Sequence, residues 1–241
     1  TLLWSLIVYS PLAHWVWGGG FMFKWGALDF AGGTVVHINA GMAALAAAIV
    51  LGKRVGSASP PHSLPFAVLG ACMLWFGWFG FNAGSSLAAD GIAVNAFVTT
   101  HVATAIAALT WSIIDWFYHG KPTTLGMITG AVAGLVAITP ACGFVSVGSS
   151  IWIGLGASVI CWIFVTFVKP KFGYDDTLDA FGVHGVGGIW GALATGLFCT
   201  SAVNSLVTNT PSAQFIIQLK ATLVTMVFSF VISFILFKLI D

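Results

Sequence analysis

Hydrophobic runs dominate this chain, and the few charged positions mark their ends. Residues 1 to 23 carry no Asp, Glu, Lys or Arg, and neither do Phe30 to Gly52, Val55 to Ala89, Gly91 to Ile114, Pro122 to Val168 or Ala180 to Leu219. Two gaps are too long for one helix. Proline and glycine divide the first at Thr139-Pro140-Ala141-Cys142-Gly143, and the second breaks at the polar stretch Thr200 to Ser212. The pattern predicts about eight membrane-spanning helices at 1–17, 30–51, 64–88, 92–117, 123–139, 149–168, 177–199 and 213–237. The runs are unbroken rather than alternating, so barrel strands are excluded. The expected class is an all-α polytopic bundle forming a single transmembrane domain over 1–241.

Composition agrees with this reading and narrows the function. Only 6 % of the 241 residues are charged and 59 % are apolar, which excludes a water-soluble enzyme or a disordered chain. A formal net charge of +1 offers no basic patch for nucleic acid. Lys53, Arg54, Lys121, Lys169, Lys171 and Lys238 fall on one side of the alternating spans, and only Lys24 and Lys220 on the other. By the positive-inside rule the first side is cytoplasmic and the chain ends inside. The four cysteines have no CxxC pair and no metal-ligand spacing. Twenty-nine glycines among alanine and serine point to close helix packing.

One self-similarity stands out. Asp29, His37 and Gly41 in the second span, and Asp176, His184 and Gly188 in the seventh, both read D-x7-H-x3-G. A continuous helical rise of 1.5 Å per residue puts each histidine about 12 Å deep, near the centre of a layer about 30 Å thick. The two spans enter from opposite faces, as an inverted repeat with its site at the midplane requires. An ionisable group inside a span is costly unless it serves a site, so His37 and His184 are the candidate pore residues. Asp29 and Asp176 read as helix caps in preference to substrate contacts. Glutamate is absent, and no carboxylate falls where an ion would have to pass. An apolar path with two imidazoles repels a bare ion but passes a small molecule that hydrogen-bonds to nitrogen, which points to a weak base carried in neutral form. Aromatic residues around Trp78 and Phe81 suit the attraction of a cation at the mouth.

DFAGGTVVHINAG (Asp29 to Gly41), WFGFNAGS (Trp78 to Ser85), TPACG (Thr139 to Gly143) and DAFGVHGVGGIWG (Asp179 to Gly191) occur in that order. On these motifs the sequence resembles the ammonium transporter family (Amt/Mep/Rh), Amt branch, along its whole length. The resemblance implies a homotrimer with one narrow pore per subunit. His37 and His184 match the paired pore histidines, and Trp78 and Thr139 match positions beside them. Trp17 and Ser85 match the outer vestibule where ammonium is recruited, and Phe81 matches one of two stacked phenylalanines at its gate. Asp29 matches a structural aspartate. The family fold has eleven spans built on an inverted repeat; this chain resembles spans four to eleven, so the first three and the cytoplasmic tail that engages PII-type signalling proteins are expected to lie outside it.

The resemblance implies that ammonium is recruited at Trp17, Ser85 and Phe81, loses its proton, and crosses as ammonia past the two histidines in the plasma (bacterial inner) membrane. No metal or other cofactor is expected, and transport is expected rather than catalysis. Two alternatives stay open: a non-conducting ammonium sensor, and a haem- or metal-binding membrane protein that uses the two histidines as ligands.

Overall fold

The structure, a computed structural model, describes residues 1–56 and 61–240. Its helices are α1 (2–17), the single turn α2 (Phe21–Lys24), α3 (Gly33–Leu51), α4 (Leu64–Gly84), α5 (Gly91–His119), α6 (Thr124–Ile138), α7 (Val147–Phe172), α8 (Phe181–Phe198) and α9 (Pro211–Ile240). The only extended pairing among the described residues is an isolated bridge between Val145 and Cys199. All eight predicted spans are present as helices, and six are long and apolar enough to cross a bilayer unaided. The protein is an integral membrane protein.

Local chemistry explains where the helices start and stop. Ser63, Asp90, Thr123 and Ser146 cap α4, α5, α6 and α7, each accepting a first-turn backbone N–H on its side-chain oxygen. Gly120 and Gly173 follow α5 and α7 with φ of 77° and 67°, a left-handed region that glycine enters without penalty. The predicted starts at residues 30 and 177 prove too early. The chain is not helical until Gly33 and Phe181, because the aspartates ahead of these helices hold a non-helical lead-in.

Close packing uses small residues at four-residue spacing. On α6, Gly126, Gly130 and Gly134 face α5, where an added Cβ would collide with Trp111, Ala107 and Ala103. Beyond α6 the Thr139–Val145 segment is irregular and buried throughout, so its carbonyls need partners inside the protein. Asn95 donates to the Cys142 and Val145 carbonyls at 2.9 and 3.0 Å, and Asn204 to that of Gly143 at 3.1 Å. The long α9 lies along α3 and α8 and lays a polar stripe against them. Gln218 Nε2 donates to the Leu28 and Ala192 carbonyls while Oε1 accepts from Leu28 N, and Ser229 donates to Asn39 at 2.6 Å.

Candidate functional site

Two matched lead-ins bring the histidines together. The Asp29 carboxylate accepts from the backbone N–H of Gly32, Gly33, Thr34 and Val35 at 2.6 to 3.2 Å, and from the Thr34 hydroxyl. Asp176 accepts from Ala180 and Phe181 at 3.0 and 2.8 Å. Each helix then opens with a widened π-type turn, over Gly33–Ile38 and Phe181–Gly185, and each turn holds its histidine. Such turns are rare and concentrate at functional sites.

The glycines of the repeat explain how the turns meet. A Cβ on Gly41 would overlap the backbone of Gly185, next to His184. A Cβ on Gly188 would sit 3.0 to 3.1 Å from Ile38 and from His37 Cβ. Each glycine, one turn beyond its own histidine, thus makes room for the histidine turn of the opposite helix.

At the crossing, His37 is buried to 3 % exposure and its Nδ1 lies 3.2 Å from Nδ1 of His184. Its Nε2 is 3.3 Å from the Thr139 hydroxyl, and its ring stacks on Trp78 at 5.3 Å and 16°. Thr139 decides the tautomers. Its hydroxyl donates to the Leu135 carbonyl at 2.7 Å, so its oxygen accepts, both from Trp78 Nε1 at 2.9 Å and from His37 Nε2–H. With the proton of neutral His37 on Nε2, Nδ1 is the acceptor for His184 Nδ1–H, and the Nε2 of His184 is left as an acceptor with no partner among the described hydrogen bonds.

Two cavities are lined by the histidines, and another lies at the Trp17 end. At the Trp17 end a cavity of about 490 Å3 is lined by Trp17, Asp29 and Ser85 together with Ser86, Asp90 and Asn209. Trp17 Nε1 donates to the Asp29 carbonyl and Ser85 to that of Phe81, each at 2.8 Å. A second cavity of about 570 Å3, apolar and opening along α4, contains His37, Trp78 and Phe81. Phe81 therefore stands beside His37, ring centroids 6.1 Å apart, rather than among the residues of the Trp17 cavity. The third, about 380 Å3, reaches His184 from the other end past Leu178, Thr129 and Val132. Asp90 and Ser86 had no motif to announce them, because their place on the cavity wall arises from the turn between α4 and α5.

At the end opposite Trp17 the loop before α8 is held by two ion pairs. Arg54 grips Asp175 through its guanidinium, and Lys169 donates to Asp179 at 2.6 Å. The Arg54 bonds hold the Asp175 carboxyl well below its usual range, whereas burial pushes that of Asp179 up. The span predicted over 92–117 runs on to His119, the exposed last residue of α5, 4.0 Å from Asp115. The remaining histidines stay outside the cluster; His101 lies against Trp75 at 5.4 Å.

With this geometry in view, comparison with known proteins is decisive. The family model described as "Ammonium Transporter Family" matches residues 1–241. The chain belongs to the ammonium transporter family. It is 51 % identical to the ammonium transporter of Bacillus subtilis (strain 168), covering all of this chain and 61 % of that protein. It is 53 % identical to that of Aquifex aeolicus (strain VF5), over 97 % of this chain and 56 % of the relative. Among solved structures, Candida albicans Mep2 superimposes with a TM-score of 0.90 at 39 % identity, over 97 % of this chain and 55 % of that one. A structure named Sensor Amt Protein superimposes equally, TM-score 0.90 at 32 % identity, over 97 % and 62 %. The chain thus spans 56 % to 61 % of the length of these curated relatives. In family terms, the ammonium transporter fold brings His37, His184, Trp78 and Thr139 into one buried cluster and sets Trp17 and Ser85 in a separate polar cavity.

Proposed function

We propose that this chain forms the conducting part of an ammonium transporter. The observation that carries the reading is the 3.2 Å contact of His37 and His184, presented by two helices of matching design in an aromatic, buried setting between a polar cavity and a second mouth. The basic Arg54 end is the cytoplasmic face by the positive-inside rule, which makes the Trp17 cavity the outer vestibule. Ammonium enters there, where the indole of Trp17 attracts the cation and the Ser85 hydroxyl accepts a hydrogen bond from one of its N–H groups. Desolvating the whole ion costs several kcal/mol or more in an apolar path, so the N–H bond breaks at the mouth, the proton passes to water of the vestibule, and ammonia passes the histidines. His37 Nδ1 and His184 Nδ1 are already satisfied by each other, so the line offers ammonia the aromatic faces and the His184 Nε2 acceptor for its N–H groups without holding it tightly. The assembly that supports this path is a homotrimer, and a PII-type protein is its partner at the cytoplasmic face, both on the family resemblance.

A second reading has one specific support: the equally close superposition on the protein named Sensor Amt Protein. A sensor binds without flux. Uptake of ammonium into proteoliposomes, and currents of methylammonium, separate the two. For the pore, His37→Ala and His184→Ala are expected to reduce flux or to relax its selectivity. Undiminished flux with unchanged selectivity in both variants removes the histidines from the path. A visible spectrum of the purified protein tests the haem alternative, a haem Soret band being the result that would favour it.

A further inference from the structure

The outer cavity holds two carboxylates, Asp29 and Asp90, and no lysine or arginine among the residues that line it. The two acids are not equivalent. Asp29 is buried and commits both oxygens to five donors, leaving it little capacity for a passing cation. Asp90 is exposed. It accepts the Ser86 hydroxyl and the Ala93 N–H, each at 2.8 Å, and both bonds fall on Oδ1. These bonds hold its carboxyl below the ordinary range and keep it ionised. The dipole of α5 offsets part of that charge, equivalent to about half a unit at a helix N-terminus, and the rest faces the cavity. A single-signed charge on the wall of a cleft concentrates counter-ions there.

Resting on the transport reading above, we propose that Asp90 is a recruitment residue: its carboxylate on the vestibule wall draws ammonium toward Trp17 and Ser85 and sets the apparent affinity, taking no part in passage beyond Phe81. The competing account is that Asp90 only caps α5. Chemistry separates the two, because asparagine is as good an N-cap as aspartate and still accepts from Ala93 and Ser86.

The test is ammonium uptake by the full chain in proteoliposomes, comparing wild type with Asp90→Asn and Asp90→Ser at low and high ionic strength. Both variants keep a capping oxygen and lose the charge. The expected result is a KM raised about three- to ten-fold at low salt with the maximal rate unchanged, converging on wild type near 0.5 M salt, where the screening length is only about 4 Å. A KM unchanged at low salt overturns the proposal, and so does an increase that salt does not erase. Calorimetric titration with ammonium chloride keeps the test independent of conduction. A wild type that binds without flux overturns the transport reading alone, and a dissociation constant unshifted in Asp90→Asn overturns the role of Asp90 alone.

Discussion

The Asp29 cap gives the sharpest stability prediction. Its carboxylate receives four backbone N–H groups and one hydroxyl, and the residue is only 7 % exposed. Asp29→Ala leaves all four N–H groups at the start of α3 without their partner. An orphaned buried donor costs about 1 to 3 kcal/mol, and the adjoining vestibule lets water reach some of them, so the low end applies. Four donors at about 1 kcal/mol each give a loss of about 4 kcal/mol, beyond the 0.5 to 3 kcal/mol of ordinary substitutions. Asp176→Ala orphans two donors, at 3.0 and 2.8 Å, and by the same reasoning loses about 2 kcal/mol. Asp29→Asn keeps one acceptor but turns a donor toward donors, and falls between wild type and alanine. Denaturant unfolding in detergent, followed by circular dichroism, measures the order. A loss below about 1 kcal/mol for Asp29→Ala, together with abolished uptake at a temperature where the variant is folded, refutes the capping account and makes Asp29 a substrate contact.

Two further substitutions probe the same architecture. Gly41→Ala forces a methyl into the Gly185 backbone; overpacking of this kind costs about 1 to 3 kcal/mol and pushes the histidine turns apart, so both melting temperature and flux are expected to fall, and an unchanged flux removes the glycine crossing from the design. At the Arg54 end, the depressed Asp175 carboxyl contributes stability above its unfolded value of about 3.9 that is lost as pH falls toward its folded value. The melting-temperature gap between wild type and Asp175→Asn is therefore expected in full at pH 7 and to close below about pH 4; a gap constant across that range contradicts the Arg54 ion pair as its source.

The spans were legible because charge is so rare that the gaps between charges, divided where proline, glycine or polar stretches interrupt them, are the helices, and Asp29 and Asp176 were legible as caps because each stands just ahead of an apolar run. Depth was not. Counting a continuous rise from Asp29 to His37 assumes helix throughout, whereas α3 begins at Gly33, so His37 comes only four residues after its start and His184 three after that of α8. Periodicity carries no sign of a π-type turn. The α9 stripe of Gln214, Gln218, Thr222, Thr225, Ser229 and Ser233 was written in three- and four-residue steps, yet charge gaps alone are blind to polar residues that bear no charge. Trp17, Ser85 and Phe81 were singled out together, but the structure divides them between two cavities, since Phe81 lies one turn of α4 nearer to His37 than Ser85 does.

The D-x7-H-x3-G repeat was visible, while the reason for its glycine was not. Within one helix, a glycine four residues after a histidine does nothing evident; only the antiparallel crossing shows that each glycine serves the other helix. This reciprocity has a consequence for mechanism. Two equivalent histidines at a pseudo-twofold crossing would have no reason to prefer one tautomer arrangement over its mirror. Thr139 breaks the tie. Anchored to the Leu135 carbonyl and to Trp78, it accepts from His37 but has no counterpart beside His184 among the described hydrogen bonds. The pair is therefore built symmetrically by the backbone and made directional by one hydroxyl, which leaves the acceptor nitrogen on His184, the histidine that lines the cavity at the end opposite Trp17.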